Sequence, residues 1–579
     1  MKYIIGIDLG TTNCTVSYSE IDVKTPDIKL LSIDQSVGLE QRACNNSLPS
    51  FLYFPTESEA KLLGPGPSVG MYARERSGET PERTVSSAKS WLSHGGVDRR
   101  SSILPLGDGE HKLSPIEAVA TYLKQIKLSW NNSFEDPLEE QEVLVTVPAS
   151  FDPDARQMVQ EALLAAGYPE NIALLEEPQA ALYAWIYRQG ESWRNKISVG
   201  DSILVADIGG GTSDFSLVKV GEEGGNLTIE RTAVGEHLLL GGDNIDWSLA
   251  YYVSNKLQRE GHIIDDWQIN GLVGICRQAK ERLLSGDTSE EQIVLKGRGR
   301  SLIGGSIKTS LTVSEIENVV LEGFLPRLDY SSQPHNNISS ALSALGLPYA
   351  KDPRITCHLA AFISRNIGEC DKLPEKILFN GGVLKSPILQ DRLVEQLHLW
   401  SAEQGCHEVA VLEDGDLDYA VSCGAVYYGF ARRGEGVRIK SSVSRSYFIG
   451  VEESRPAIPG MPVPMRAICI VPYGMEEGSE AVLEGCEFAL ILGQKAHFHF
   501  MSCNSMFLPD NSTAIMGSVV RSWKKDLHEL HPIESFMEGN KNENIVKVKL
   551  LSKVTELGTL ELWCVAEDER RWKLEFDLR

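Results

Sequence analysis

The sequence predicts an α/β protein of two similar lobes facing each other, followed by a smaller all-β region, and three observations carry that expectation. The chain opens with an apolar strand ending in an aspartate and a glycine turn, "YIIGIDLGTTNCTVSYSE", and the pattern returns at residues 202–220 as "SILVADIGGGTSDFSLVKV". Each copy is followed by a strand, a tight turn and an amphipathic helix, "VLVTVP" into "DPDARQMVQEALLAAG" and "KILFNGG" into "SPILQDRLVEQLHLW", and then by a helix rich in small residues, "EEPQAALYAW" or "DYAVSCGAVYYG". Beyond about residue 432 helical periodicity gives way to short alternating runs separated by turn signals. Repetition across both halves argues for two lobes rather than one sheet.

Taken in order, the first element is a hairpin. Gly10-Thr11-Thr12-Asn13 is followed by Cys14, Thr15, Val16, Ser17 and Tyr18, whose alternation and β-branched content read as a second strand. A P-loop would need a lysine after the glycines and a helix behind it, and this turn has neither. Residues from about 32 to 112 and from about 241 to 370 are less regular and read as outer subdomains, the second containing a surface loop, "DYSSQPHNNISS". The basic stretch 433–445 reads as a connector. Beyond it "SYFIGVE", "AICIVPYG", "FALIL", "AHFHF", "IVKVKLL", "GTLELWCVA" and "RWKLEFDL" read as strands of a region 446–579. There Trp523, Trp563 and Trp572 are expected in the core, His497 and His499 on one solvent-facing strand face, and His528 and His531 in a loop or short helix.

Charge excludes some functions. The 579 residues carry 56 basic and 80 acidic side chains, a formal net charge of -24, which repels a phosphodiester backbone and an anionic membrane alike. Neither nucleic acid nor membrane is expected as a partner. The start has no signal-peptide core and no run approaches a membrane span, so a cytoplasmic location is expected. Eleven cysteines without a C-x-x-C pair fit a reducing compartment and mostly core positions.

Two hairpin tips meeting across a cleft can do chemistry that one cannot. Backbone N–H groups of Gly10, Thr11, Thr12 and Asn13 and of Gly209, Gly210, Gly211 and Thr212 would converge on one set of phosphate oxygens. Asp8 and Asp207 would be repelled by bare phosphate. They make sense with a magnesium ion between, held through water as much as directly.

At this point "GIDLGTTNCTVS", "VTVPASFDPDARQ", "LEEPQAAL", "VADIGGGTSDFSLV", "GGDNID" and "NGGVLKSP" resemble, in order, the signature segments of the heat-shock protein 70 family of the actin and sugar-kinase ATPase superfamily. The resemblance covers roughly residues 1–432. It implies an actin-like ATPase domain of duplicated, ribonuclease-H-like lobes, about 1–190 with 416–432 and about 191–415, closing on Mg2+ and ATP or ADP. It further implies that Lys89 orients the attacking water, that Glu177 hydrogen-bonds a metal-bound water with Glu176 as its surface neighbour, and that Thr212 and Asp214 lie near the γ-phosphate. Pro148 and Arg156 match the proline switch and its arginine relay, and Lys280 matches a ribose contact. Gly242 falls in the "GGDNID" segment, Gly381, Gly382, Val383 and Lys385 in the adenosine-side loop, and Asp418 near the adenine.

This sequence also departs from the family pattern. Lys385 replaces a planar arginine, Arg277 stands where a glutamate contacts the ribose, Glu281 lies near a residue that packs on the base, and Asp243 and Asn244 replace a Glu-Asp pair. The connector is basic rather than acidic and leucine-rich, so it is either a solvated tether or docks through Arg432, Arg433, Arg438, Lys440 and Arg445 onto the acidic lobes. The reading is a slow ATPase chaperone without a helical lid, its β region holding an unfolded or specific protein client and an exchange factor or co-chaperone as a further partner. The alternatives are a nucleotide-sensing scaffold and a small-molecule kinase.

Overall fold

The computed structural model describes the chain from Met1 to Leu574 apart from short stretches, of which 296–305, 336–349, 453–464 and 537–544 are the longest. In the first half, β1 (Tyr3–Leu9) and β2 (Asn13–Glu20) form an antiparallel hairpin, with Asp8 opposite Thr15. The short β3 (Lys29–Leu30) and β4 (Ser47–Pro49) pair with β2. On the other side β5 (Glu142–Val147) runs parallel to β1, and β6 (Ala173–Glu176) parallel to β5. In the second half, β7 (Ser202–Ile208) and β8 (Ser213–Glu223) make the corresponding hairpin, with β9 (Asn226–Val234) antiparallel to β8. Parallel to β7 runs β10 (Lys376–Asn380), and parallel to β10 runs β11 (Ala410–Val411). The orders β6-β5-β1-β2-β3 and β11-β10-β7-β8-β9 match strand for strand. Ile4, Ile5 and Ile7 are fully buried, as a strand covered on both faces requires.

The helices start where local chemistry tells them to. The four-residue α1 (Ala88–Trp91) follows Ser87; α2 (Pro115–Ser133) has a Ser114/Glu117 capping box and α3 (Pro153–Ala165) an Asp152 cap. Next come α4 (Glu177–Gln189), α5 (Gly242–Arg259), α6 (Asp266–Leu284), whose capping box is Asp265/Gln268, α7 (Pro387–Glu403) and α8 (Ala420–Arg432). One buried cluster joins Ile4 and Leu144 of the first sheet, Ile203, Val205 and Leu378 of the second, and Ala180, Trp185, Ala425 and Phe430 of α4 and α8. The two small-residue helices are therefore the seam between the sheets. Gly424 of α8 lies so close to α4 that a Cβ would strike the Ala180 carbonyl.

After Ser446 the described residues form two five-stranded sheets and one helical turn, Trp523–Asp526. Tyr447, Ile449, Ile470, Phe500, Val548, Leu550, Leu562 and Cys564 share a core between them. Trp523 is buried in a separate cluster and Trp572 packs half-buried against the main core. Trp563 corrects the expectation: it is out of phase with the buried Leu562 and Cys564, lies 5.7 Å under the Lys573 ammonium, and donates its indole N–H to Glu561 at 3.3 Å. His528 and His531 also differ from expectation, because both belong to the strand His528–Phe536, paired with Lys495–Cys503. His499 Nδ1 lies 2.9 Å from Glu529, and the His497 side chain lies outside the described residues. Among the described residues no helix is long and apolar enough to cross a membrane.

Candidate functional site

Asp8 and Asp207 occupy the same place in their hairpins, one residue before the strand ends. Thr146 Oγ1 donates to Asp8 at 3.3 Å, and Asn380 Nδ2 donates to Asp207 at 2.7 Å. The two tips touch. A Cβ on Gly210 would overlap the Thr12 methyl, and one on Gly211 would stand 2.7 Å from the Thr11 methyl and 2.9 Å from Ser90 Oγ. The second turn is pinned from behind, since Gly209 N–H donates to Thr212 O at 2.9 Å, Gly242 N–H to Gly209 O at 3.0 Å and Asp243 N–H to Gly210 O at 2.6 Å. A Cβ on Gly241 would stand 2.6 Å from Gly209 O and 2.8 Å from Gly210 O, so glycine is what lets these two backbone segments approach this closely.

Beneath the tips lies a buried charge cluster. Lys89 on α1, 4% exposed, donates to Glu177 at the first turn of α4. Burial and then the Glu177 charge push the Asp8 carboxyl up to about 7, against the pull of Lys89 and Thr146. Asp207 is pushed well above the usual carboxylate range by burial, then by Glu177, Asp214 and Asp8. Burial works against the Lys89 charge, but Glu177 and Asp8 more than offset it and raise its pKa. Acids thus outnumber bases around the tips, a balance that a divalent cation would complete. Among the described residues no three His, Cys, Asp or Glu side chains cluster as a dedicated metal site. The hard carboxylate oxygens of Asp8 and Asp207 are of the kind that a hydrated magnesium ion takes. Ser90 is 2% exposed, its hydroxyl has no hydrogen-bond partner among the described residues, and it faces the Gly211 turn. A phosphate oxygen seated there would satisfy it.

Next to the tips, Thr12, Asn13, Gly210, Gly242, Lys280, Glu281, Gly382, Val383, Lys385 and Asp418 line one cavity of about 530 Å³. Gly381, with φ 88°, folds its loop so close to β7 that a Cβ would sit 2.6 Å from Asp207 Oδ1. Gly10, Thr11, Gly209, Gly211 and Thr212 belong to the tips beside this cavity. Much of its charge is paired internally. Lys280 Nζ is 2.6 Å from Asp246 and Arg277 reaches Asp243 and Asp246 at 2.7 Å each, while Lys385 contacts Asp418. Glu281 accepts two bonds from Arg74 of the first half at 3.0 Å. Asp246, Arg74, Ser87 and Ser90 were not anticipated. The spacing of Asp243 and Asp246, three apart on α5, facing Arg277 and Lys280, three apart on α6, is the signal that could have found the first.

Glu176 is a correction. Expected at the surface, it is 4% exposed and shared by two guanidinium groups, Arg156 of α3 at 2.6 Å and Arg231 of β9. β6 ends at Glu176 with its side chain turned inward, so the acid sits between the halves. Arg156 also donates to the Ala149 and Phe151 carbonyls of the segment after Pro148.

Parts of the connector are ordered against both halves. Arg433 donates to Glu142 at 2.6 and 3.0 Å, Arg432 lies 6.0 Å from the Tyr428 ring, and Arg445 donates to Ser150 O at 2.8 Å. β12 (Ile439–Lys440) adds a parallel strand to β9, and Tyr473 donates to the Thr232 carbonyl. Arg438 and the Lys440 side chain lie outside the described residues.

Comparison with known proteins identifies the family of this chain. The family model "Hsp70 protein" matches residues 4–322, more than half of the chain. The chain is 28% identical over 304 residues to a protein named "Chaperone protein HscA homolog" from Acinetobacter baylyi, covering 51% of this chain and 43% of that one. It is 26% identical over 310 residues to "Chaperone protein DnaK" from Burkholderia cenocepacia, covering 50% and 43%. With "Chaperone protein DnaK" from Thermotoga maritima it shares 30% over 266 residues, 46% and 37% of the two chains. The matched stretch thus spans less than half the length of these relatives. The chain belongs to the Hsp70 protein family.

Proposed function

We propose that this protein is an ATP-binding and slowly ATP-hydrolysing chaperone. Its ATPase domain would be residues 1–432, with ribonuclease-H-like lobes closing on the nucleotide, 433–445 the coupling segment, and 446–579 a sandwich-like region that binds a protein client. The observation that carries the reading is the meeting of two aspartate-headed glycine turns directly above the buried Lys89–Glu177 pair. The turn amides and the Thr11, Thr12 and Thr212 hydroxyls would bind the β- and γ-phosphates, and Gly242, Lys280, Glu281, Val383, Lys385 and Asp418 would face the nucleoside. Magnesium, when bound, supplies charge neutralisation on the phosphates. Lys89, held by Glu177, would orient the water, and Asp214, which accepts from Ser150, would report the phosphate end to the segment after Pro148. Positioning and charge suffice for such phosphoryl transfer. The relatives' printed names support the chaperone part, and a cytoplasmic location and a partner that assists nucleotide exchange belong to the same proposal.

The test is steady-state ATP hydrolysis together with nucleotide binding. Lys89→Ala should lower turnover at least about a hundredfold while leaving binding nearly intact. Unchanged turnover would remove the assignment. A nucleotide-sensing scaffold is the second reading, favoured by the internally paired Lys280 and Lys385; tight binding without turnover in the wild-type protein would select it.

A further inference from the structure

Among the described residues Ser87 is the one non-glycine with a positive φ, 53° with ψ 30°. A side-chain-bearing residue stays in that region only where its surroundings over-determine it, and such strain collects at working sites. Ser87 also stands immediately before α1, where a serine ordinarily turns its hydroxyl onto the helix's free N–H groups. Here it does not: the cap makes no side-chain bond, and the hydroxyl instead donates to Asp243 Oδ2 at 2.8 Å.

Asp243 belongs to the other half of the molecule and is bonded to its glycine turn. Its own N–H donates to Gly210 O at 2.6 Å, and Arg277 holds its second oxygen at 2.7 Å, which fixes the carboxylate's direction. On the near side, Ser87 leads straight into the turn of helix that carries Lys89 onto Glu177 and Ser90 against Gly211. The contacts form a closed circuit: glycine turn, Asp243, Ser87, α1, and back to the glycine turn.

We propose that Ser87 is a positioning residue for ATP hydrolysis. Its bond to Asp243 ties the two halves together and holds α1 in the one orientation that sets Lys89 and Ser90 over the phosphates. When the halves part, the hydroxyl loses Asp243 and the backbone of Ser87 is free to leave the left-handed region. This rests on the ATPase reading, and two readouts separate them.

In the full chain, Ser87→Ala and Ser87→Gly should each lower kcat about tenfold with KM for Mg-ATP changed less than twofold. Glycine relieves the backbone but lacks the hydroxyl, so wild-type turnover in Ser87→Gly overturns the proposal. Ser87→Asn, which tolerates a positive φ and carries a donor, should recover most of the rate. Adding Ser87→Ala to Asp243→Ala should cost nothing further, whereas an additive loss overturns the link. The second readout is amide hydrogen exchange across residues 86–93. There Ser87→Ala should exchange faster than wild type, in the free protein and with Mg-ADP; equal exchange overturns the proposal. If the wild-type protein shows no turnover, the ATPase reading fails and exchange alone decides whether the Ser87–Asp243 bond holds α1.

Discussion

Two aspartates with opposite environments show how much one residue's surroundings decide. Asp207 is crowded by acids, and Asp207→Ala should weaken Mg-dependent nucleotide binding about tenfold, about 1.4 kcal/mol, with little change when the metal is withheld; titration with and without magnesium measures both. Asp352 lies in a favourable site. Although burial opposes its charge, Arg354 donates to it at 2.9 and 2.6 Å and the His335 and Arg354 N–H groups at 3.0 and 3.1 Å, which holds its pKa below the ordinary value. A depressed folded-state pKa contributes stability above the unfolded value and loses it as pH falls through the folded one. Asp352→Asn should therefore cost about 2 kcal/mol at pH 7, and the gap from wild type should narrow steadily below about pH 4 in urea unfolding. Neither environment was fully legible beforehand: the sequence marks Asp207 as special by its repeat, and Arg354 stands two residues from Asp352, but nothing in the sequence says that Asp352 is buried or that the His335 N–H reaches it.

At the scale of elements, the seam between α4 and α8 bears most on the site, because α4 begins at Glu177. Gly424 meets the Ala180 carbonyl and lies near Ala184 N, and Gly6 of β1 would place a Cβ 2.9 Å from Ala425 on the opposite side of the same helix. Gly424→Ala gains about 1 kcal/mol of helix propensity yet must push α8 off α4, so a net loss of about 1–3 kcal/mol is expected from the denaturation midpoint. The same strain acts on α4, and any shift of its first turn should carry Glu177 away from Lys89 and lower ATP turnover. The small residues of "EEPQAALYAW" and "DYAVSCGAVYYG" signalled close packing in the sequence. That they pack on each other, between two sheets, did not follow from either segment alone.

For the whole molecule, the contacts of Arg445, the last residue of the connector, with Ser150 and of Tyr473, beyond it, with Thr232 tie this end of the chain to both halves. Arg445→Ala with Tyr473→Phe should raise the radius of gyration in small-angle scattering and speed tryptic cleavage between residues 433 and 445; unchanged values would show that these bonds do not hold the regions together. The sequence by itself determined the hairpins, the strand-turn-helix repeats and the residues at the glycine turns, because hydrophobic period and turn chemistry are local and each copy reinforces the other. Tertiary structure alone decided that Glu176 is buried between two arginines, that Trp563 faces outward, and that Ser87 gives its hydroxyl to Asp243 rather than to its own helix. Those outcomes depend on which distant chain segment arrives to supply or remove a partner, and pairing across 156 residues leaves no trace in either neighbourhood.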